Sequence, residues 1–152
     1  MQTQAVQEAG TLAEVLGMTE ELAEAIARVA EDELEAGRAD PARVILEGLV
    51  VANPRATAAW LLLARAHRAL GRPLAARFCA EVAGSLDPAS LAARLGRAEG
   101  LLPFPEDREQ ARAILVEVAR SPCDLGDRAR TLLAAIGGGA PVNRDQCSPQ
   151  KA

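Results

Sequence analysis

The strongest constraint on the fold of this chain is a pattern that returns after 34 residues. Two segments, 37–54 and 71–88, carry a glycine, small or apolar residues and a proline at matching offsets. The matched pairs are Gly37 and Gly71, Ala42 and Ala76, Leu46 and Ala80, Leu49 and Ala83, and Pro54 and Pro88. A turn glycine and a terminating proline repeated at one fixed distance predict stacked copies of one supersecondary unit.

Each copy has the pattern of two helices joined by a tight turn. Ahead of each turn glycine, apolar or aromatic residues recur every three to four positions, as on a helix with one buried face. They are Leu22, Ile26, Val29, Ala30 and Leu34 in the first copy, and Trp60, Leu63, Ala64, His67 and Leu70 in the second. Thr19, Asp40-Pro41 and Asp87-Pro88 are interpreted as helix starts. This period and content are typical of tetratricopeptide repeats.

The sequence therefore predicts an all-α tetratricopeptide superhelix of three helix pairs with flanking helices at both ends. The third repeat departs from the other two, because Pro103-Phe104-Pro105 replaces the turn glycine and adds one residue. A last amphipathic helix is expected to cap the exposed apolar face of the stack. The repeats and the cap are predicted at about 19–54, 55–88, 89–122 and 124–136.

The two ends of the chain lack a helical pattern. Residues 1–9 are expected to be flexible, and the Gly-, Pro- and polar-rich segment 137–152 is expected to be a disordered tail. The folded domain is predicted at 10–136, with a short leading helix between Thr11 and Met18.

Composition excludes several classes of function. A formal charge of −4 provides no basic field for nucleic acid. No stretch approaches the ~20 apolar residues of a membrane span, and the first residues lack the basic start and apolar run of a signal peptide. The three cysteines are odd in number and scattered, as free thiols in a reducing compartment are. We expect a soluble intracellular protein that does not insert into membranes.

No residue pattern indicates catalysis, a cofactor or a metal. The acidic residues at 31–35 spread around a helix and have no His or Lys beside them, so a solvated face is the simpler interpretation. His67 is the only histidine and falls where the repeat packs an aromatic ring, which argues against a zinc ligand. The sequence contains no phosphate loop, nucleophile elbow or CxxC pair. An enzyme would require catalytic groups that converge from distant helices.

The first helices of stacked pairs line a concave surface that can hold a peptide. Positions two, five, nine and twelve of each first helix are predicted to face this groove. The candidate peptide-binding residues are Ala27, Glu31, Leu34, Ala58, Leu61, Arg65, Arg68, Leu95, Glu99 and Leu102, with Glu24 and Ala92 in the same register. Such a surface, apolar patches within mixed charge, suits an extended segment with spaced Leu or Pro anchors.

Four stretches in order carry a resemblance to a known family: EAGTLAEVLGMTEELAEAIA, ELEAGRADPA, WLLLARAHRALGRPLAARFCAEVAGSLDP and AEGLLPFPEDREQARAILVEVA. Over about residues 8–136 the chain resembles the class II type III secretion chaperones of the LcrH/SycD kind. The resemblance implies a chaperone in the bacterial cytoplasm that keeps hydrophobic translocator proteins soluble before secretion, without ATP. It also implies that an N-terminal segment of the client, with Pro and Leu anchors, lies extended in the groove.

The resemblance has two further implications. Groove tyrosines of the family's first repeat fall on Ala27, Leu34 and Ala39, so client contacts here differ in kind. The leading segment, about residues 10–18, resembles the part through which such chaperones self-associate, which implies a homodimer with apolar contacts at Leu12, Val15 and Leu16. Two alternatives stay open: a generic tetratricopeptide adaptor, and a chaperone of a needle or filament subunit, which is generally a shorter chain.

Overall fold

The computed structural model describes residues 10–137, and all regular structure within that range is helical. The predicted leading helix, three helix pairs and capping helix are all present. A 3-10 turn spans Pro105–Asp107. The α-helices are α1 Leu12–Val15, α2 Glu20–Glu35, α3 Ala39–Ala52, α4 Thr57–Ala69, α5 Pro73–Leu86, α6 Leu91–Leu101, α7 Arg108–Val118 and α8 Asp124–Ala135. The segment predicted to be flexible, 1–9, and nearly all of the predicted tail lie outside the described residues.

The turn glycines close the first two helix pairs in the same way. Gly37 and Gly71 have φ of +76° and +67°, a left-handed conformation that other residues adopt only with strain. After α2, the N–H of Arg38 donates to the carbonyl of Glu33 and the N–H of Gly37 to that of Leu34. The same two bonds follow α4, so each first helix ends in a Schellman motif. The repeated glycine therefore sets the angle at which each second helix returns.

The third pair turns without a glycine. The 3-10 turn occupies the site of the glycine, and α7 begins at Arg108, one residue later than the 34-residue period would place it. Arg77 of α5 stacks over the ring of Phe104, 5.0 Å from its centroid, and pairs with Asp107. These contacts hold the altered turn against the second repeat.

Two of the predicted helix starts are wrong. Asp40 lies inside α3, whose N-cap position is occupied by Arg38. Asp87 ends α5, and the Ser90 hydroxyl caps α6 by accepting from the N–H of Ala93 at 3.2 Å. The prediction was wrong at the second site because Pro88 follows the C-cap of α5. A proline in that position ends the preceding helix, and in the sequence it looks the same as a proline that starts the next helix. The third predicted start, Thr19, is confirmed as the N-cap of α2.

Successive helices pack against one another, and the core between them is built of small residues. Ala42, Ala66, Ala80 and Ala98 are fully buried, which allows close approach of the helix axes. A cluster around Leu46 and Leu63 joins α2 to α5. Its counterpart around Leu115 and Val118 joins α6, α7 and α8. Between residues 10 and 137, no helix combines the length and apolarity needed to cross a bilayer.

Candidate functional site

A cavity of about 420 Å³ opens on the side of the stack formed by the first helices. Glu31 of α2 borders it at one end, and residues of α8 border it at the other. We call it the groove cavity. Its lining residues are Glu31, Ala58, Leu61, Leu62, Arg65, Arg68, Ala92, Leu95, Gly96, Glu99, Leu125 and Arg128. None belongs to a second helix, so stacking alone brings residues distant in sequence onto one surface.

The apolar part of the groove cavity lies where α4 and α6 meet. It is lined by Leu95, with 4% of its surface exposed, and by the half-buried Leu61. Gly96 makes room for Leu61, because a Cβ at residue 96 would stand 2.6 Å from the Cδ2 atom of Leu61. The absent side chain at residue 96 therefore keeps this part of the cavity open.

One row of charges follows the repeat register. Glu31, Arg65 and Glu99 occupy equivalent positions, 34 residues apart, and their charges alternate along the groove. Arg65 Nη1 donates to Glu31 Oε1 at 3.0 Å, which joins α4 to α2. Both side chains remain more than a third exposed, so this pair adds little to stability. The pair fixes the positions of these two charges along one wall of the groove cavity.

Glu99 is the centre of a second, less exposed network. Its side chain is 10% exposed, with Oε2 2.6 Å from Nη2 of Arg68 and Oε1 2.6 Å from Nε of Arg128. Burial lowers the pKa of Arg68, and the charge of Glu99 opposes that effect, so the guanidinium stays charged at neutral pH. Nη1 of Arg68 is buried and has no partner among the described residues. The network ties α4, α6 and α8 together.

Most of the predicted peptide-binding residues meet at this cavity. Seven of the ten line it: Glu31, Ala58, Leu61, Arg65, Arg68, Leu95 and Glu99. Ala27 and Leu34 instead pack against the core cluster of α2 to α5, and Leu102 packs against the cluster of α6 to α8. The cavity is thus shorter than the predicted groove, and the binding role of all ten residues stays a prediction.

Sequence reasoning missed four lining residues: Leu62, Gly96, Leu125 and Arg128. Leu62 and Gly96 are themselves 34 residues apart, one residue beyond the predicted position five. Leu125 and Arg128 lie two and five residues after the N-cap of α8, as Ala58 and Leu61 do in α4. Helix α8 therefore supplies groove residues in the register of a first helix, although its pattern had indicated only a cap.

The residues implied for self-association lie on α1 and at its C-cap, which is Leu16. Leu12, Val15 and Leu16 are 45%, 77% and 66% exposed, respectively. The hydroxyl of Thr11 accepts from the N–H of Glu14, whose carboxylate accepts from the N–H of Thr11, so a capping box closes this short helix. The apolar residues are thus held at the surface, and their contact with a second copy stays a prediction.

Among residues 10–137, the remaining histidine and cysteine side chains do not form a reactive site. Burial raises the pKa of the Cys79 thiol to about 11, which leaves it protonated and unreactive at neutral pH. His67 is buried at 8% exposure, and its burial lowers its pKa. Within residues 10–137, no three His, Cys, Asp or Glu side chains are grouped as metal ligands would be.

Comparison with known proteins places the fold. The chain is similar to SycD, the type III secretion translocator chaperone of Yersinia enterocolitica, with a TM-score of 0.72 and 20% identity over 84% of this chain and 98% of SycD. A T3SS complex from Aeromonas hydrophila matches with a TM-score of 0.74 and 23% identity, over 89% and 93% of the two chains. PcrH in complex with the chaperone binding region of PopB gives 0.66 and 20%, over 77% and 98%.

These likenesses cover nearly the whole of the compared chains and confirm the predicted fold class, an all-α tetratricopeptide superhelix. No protein-family model and no curated protein matches the sequence. The shared property is therefore the fold.

Proposed function

We propose that this chain is a class II type III secretion chaperone, which binds hydrophobic translocator subunits in its groove and keeps them soluble before secretion. The observation that carries the proposal is the groove cavity between α4, α6 and α8, within a fold shared with a translocator chaperone. In PcrH, a protein of the same fold, the bound partner is the chaperone binding region of PopB. By analogy, the proposed partner of this groove is a segment of the same kind.

The chemistry of the groove cavity suits an extended apolar segment. Leu61 and Leu95 with the small residues Ala58 and Ala92 offer contact to a leucine-sized side chain. A protein destined for a membrane exposes such segments, and in water they aggregate because of the hydrophobic effect. Binding transfers the apolar side chains from water to the groove without a chemical step. The proposed role is therefore non-enzymatic, needs no cofactor, and belongs to the bacterial cytoplasm, where clients wait for export.

The proposed chaperone is a homodimer through the exposed apolar residues of α1. Leu12, Val15 and Leu16 present a small apolar patch, and burial in a second copy would remove it from water. The groove cavity lies on α2, α4, α6 and α8, so contact through α1 leaves it accessible.

Co-expression tests the proposal. Candidate clients are secreted proteins with hydrophobic segments encoded near this gene, each expressed with and without the chaperone. We expect the client to remain in the soluble fraction and to co-purify only with the chaperone. Leu61→Asp should abolish co-purification, because a groove carboxylate solvated in the free protein is desolvated on binding. Val116→Asp, at an exposed residue of α7, is the matched control.

Two outcomes would contradict the proposal. One is that the clients are equally soluble without the chaperone. The other is that Leu61→Asp binds a client as well as the control does. Retention of a folded adaptor partner or of a needle subunit in the same assay would favour the corresponding alternative function.

A further inference from the structure

The groove cavity has an excess of positive charge in an acidic protein. Its lining contains three guanidinium groups, of Arg65, Arg68 and Arg128, and two carboxylates, of Glu31 and Glu99. The whole chain carries a formal charge of −4. The local sign is thus opposite to that of the molecule, and the charges concentrate where α4, α6 and α8 meet.

Among the three guanidinium groups of the groove cavity, that of Arg128 has no carboxylate of the lining to itself. Arg65 is paired with Glu31, and Arg68 with Glu99, each through one nitrogen. Arg128 shares Glu99, but its side chain is 55% exposed. Only its Nε takes part in a hydrogen bond within residues 10–137, so both terminal nitrogens are free to donate. A guanidinium with two parallel donors is suited to a carboxylate.

The apolar and charged parts of the cavity are close enough to be contacted by one short segment. Leu95 and Glu99 are separated by four residues of α6, which places them about 6 Å apart along the helix axis. An extended chain covers about 6.6 Å in two residues. Because Arg128 lies against Glu99, a leucine over Leu95 and a carboxylate at Arg128 thus fit on residues i and i+2 of one extended peptide, whose side chains point to the same face.

From this arrangement we infer that the groove selects apolar segments that carry an acidic side chain within about two residues of a leucine anchor. The carboxylate binds the free donors of Arg128, while the anchor fills the apolar part of the cavity. This inference rests on the proposed function and specifies the client segment. The segment contains both a leucine and an acidic residue, and it binds more tightly than a purely apolar or a basic segment. Arg128 is the specificity-determining residue.

Synthetic peptides test the inference on the full-length protein. The probes are fluorescein-labelled, acetylated and amidated peptides of about ten residues, long enough to cross three helices. Each contains two leucines and one variable position two residues from a leucine, occupied by Glu, Gln or Lys. Blocked ends remove the terminal carboxylate as a source of binding. Fluorescence polarisation then compares the dissociation constants.

We expect the Glu peptide to bind about tenfold more tightly than the Gln peptide, and the Lys peptide to bind most weakly. The preference should shrink as salt rises from about 0.05 to 0.5 M, since the contact is partly exposed. Arg128→Gln should reduce it to about twofold or less. Arg112→Gln, on an exposed residue of α7, should leave it unchanged.

The results that would contradict this inference differ from those that would contradict the proposed function. Equal binding of the Glu and Gln peptides, tighter binding of the Lys peptide, or a preference that survives Arg128→Gln would overturn the inference, while co-purification of a client would leave the proposed function standing. If no peptide binds and no client co-purifies, although circular dichroism shows the native helical content, both fail together.

Discussion

Gly96 and Leu61 meet across the interface of two repeats so closely that a Cβ at residue 96 would lie 2.6 Å from the Leu61 Cδ2 atom. The obstructing atom is the end of a flexible side chain. Gly96→Ala should therefore fold, with Leu61 displaced into the groove cavity. The gain in helix propensity, about 0.5–1 kcal/mol, opposes the cost of that shift.

The expected result is a variant of near-native stability, within about 1 kcal/mol, that binds a client segment about tenfold more weakly. Thermal unfolding and fluorescence polarisation measure the two effects. Gly84→Ala on α5 is the control, because its nearest neighbour would be Arg97 Cδ at a comfortable 3.8 Å. Undiminished binding by Gly96→Ala would show that the cavity between α4 and α6 is not where the segment lies.

The start of α8 depends on a glycine for a different reason. A Cβ on Gly126 would be 2.0 Å from the carbonyl oxygen of Ser121, which is backbone and cannot rotate away. Gly126→Ala should destabilise the chain by about 1–3 kcal/mol and shift α8 away from α7. A Cβ at Gly48 in α3 would meet no atom of residues 10–137 within 4 Å, so Gly48→Ala should stabilise the chain by about 0.5–1 kcal/mol. Denaturant unfolding of both variants provides the comparison, and equal stability would contradict the close approach.

Most of the fold could be predicted from the 34-residue repeat period in the sequence. A displacement of 34 residues relates the starts of α3 and α5, and also those of α4 and α6. This regularity exists because each pair packs on the next through the same small residues, so one copy determines the register of the others. The prolines were less informative: Pro88 follows the end of α5, whereas Pro73 opens that helix, and sequence alone does not separate the two uses.

The repeat register predicted which helix positions face the groove, but it did not predict how far the groove cavity extends. The period placed eight residues at the cavity correctly, Ala92 among them, yet it also included Leu34, which packs against the core cluster of α2 to α5. Whether a groove position is open depends on what packs over it, and that is a tertiary property. Arg128 was missed for a related reason: α8 begins one residue earlier than the 34-residue period would place it, so only counting from its N-cap, Cys123, reveals its position.

His67 makes stability depend on pH. Burial in α4 lowers the pKa of this imidazole below its usual 6.5, so the unfolded state binds a proton more readily than the folded state. Stability therefore rises with pH through the region below about 6.5 and is lost as the pH falls through it. We expect His67→Phe to flatten this dependence between about pH 5 and 7, measured as the denaturation midpoint at each pH. An unchanged slope would assign the pH dependence to other groups.

Self-association should depend on the outer face of α1. Val15 and Leu16 are both more than three-fifths exposed, so Val15→Asp with Leu16→Asp places charges in solvent and leaves the folded chain intact. Within a dimer the same carboxylates would be desolvated, which costs several kcal/mol. We expect monomers by analytical ultracentrifugation, with unchanged helical content. Leu74→Asp, at a 72% exposed residue of α5, is the control. A dimer that survives the double substitution would exclude this face.

Glu99 and Glu31 occupy the same repeat position, yet their removal should have unequal effects. Glu99 is 10% exposed and neutralises Arg68, whose Nη1 is already buried with no hydrogen-bond partner in the described part of the chain. Glu99→Gln would leave that guanidinium with little compensation, and we expect a loss of about 2–3 kcal/mol in the free energy of unfolding.

Glu31→Gln removes only the partner of Arg65, in a pair more than a third exposed, and should cost less than about 1 kcal/mol. Urea denaturation of both variants gives the comparison. The double variant Glu99→Gln with Arg68→Met should recover stability, because it removes the buried charge together with its partner. If Glu31→Gln proved the more damaging change, or if the double variant were no more stable than Glu99→Gln, the ion network at Glu99 would not be what joins α4, α6 and α8.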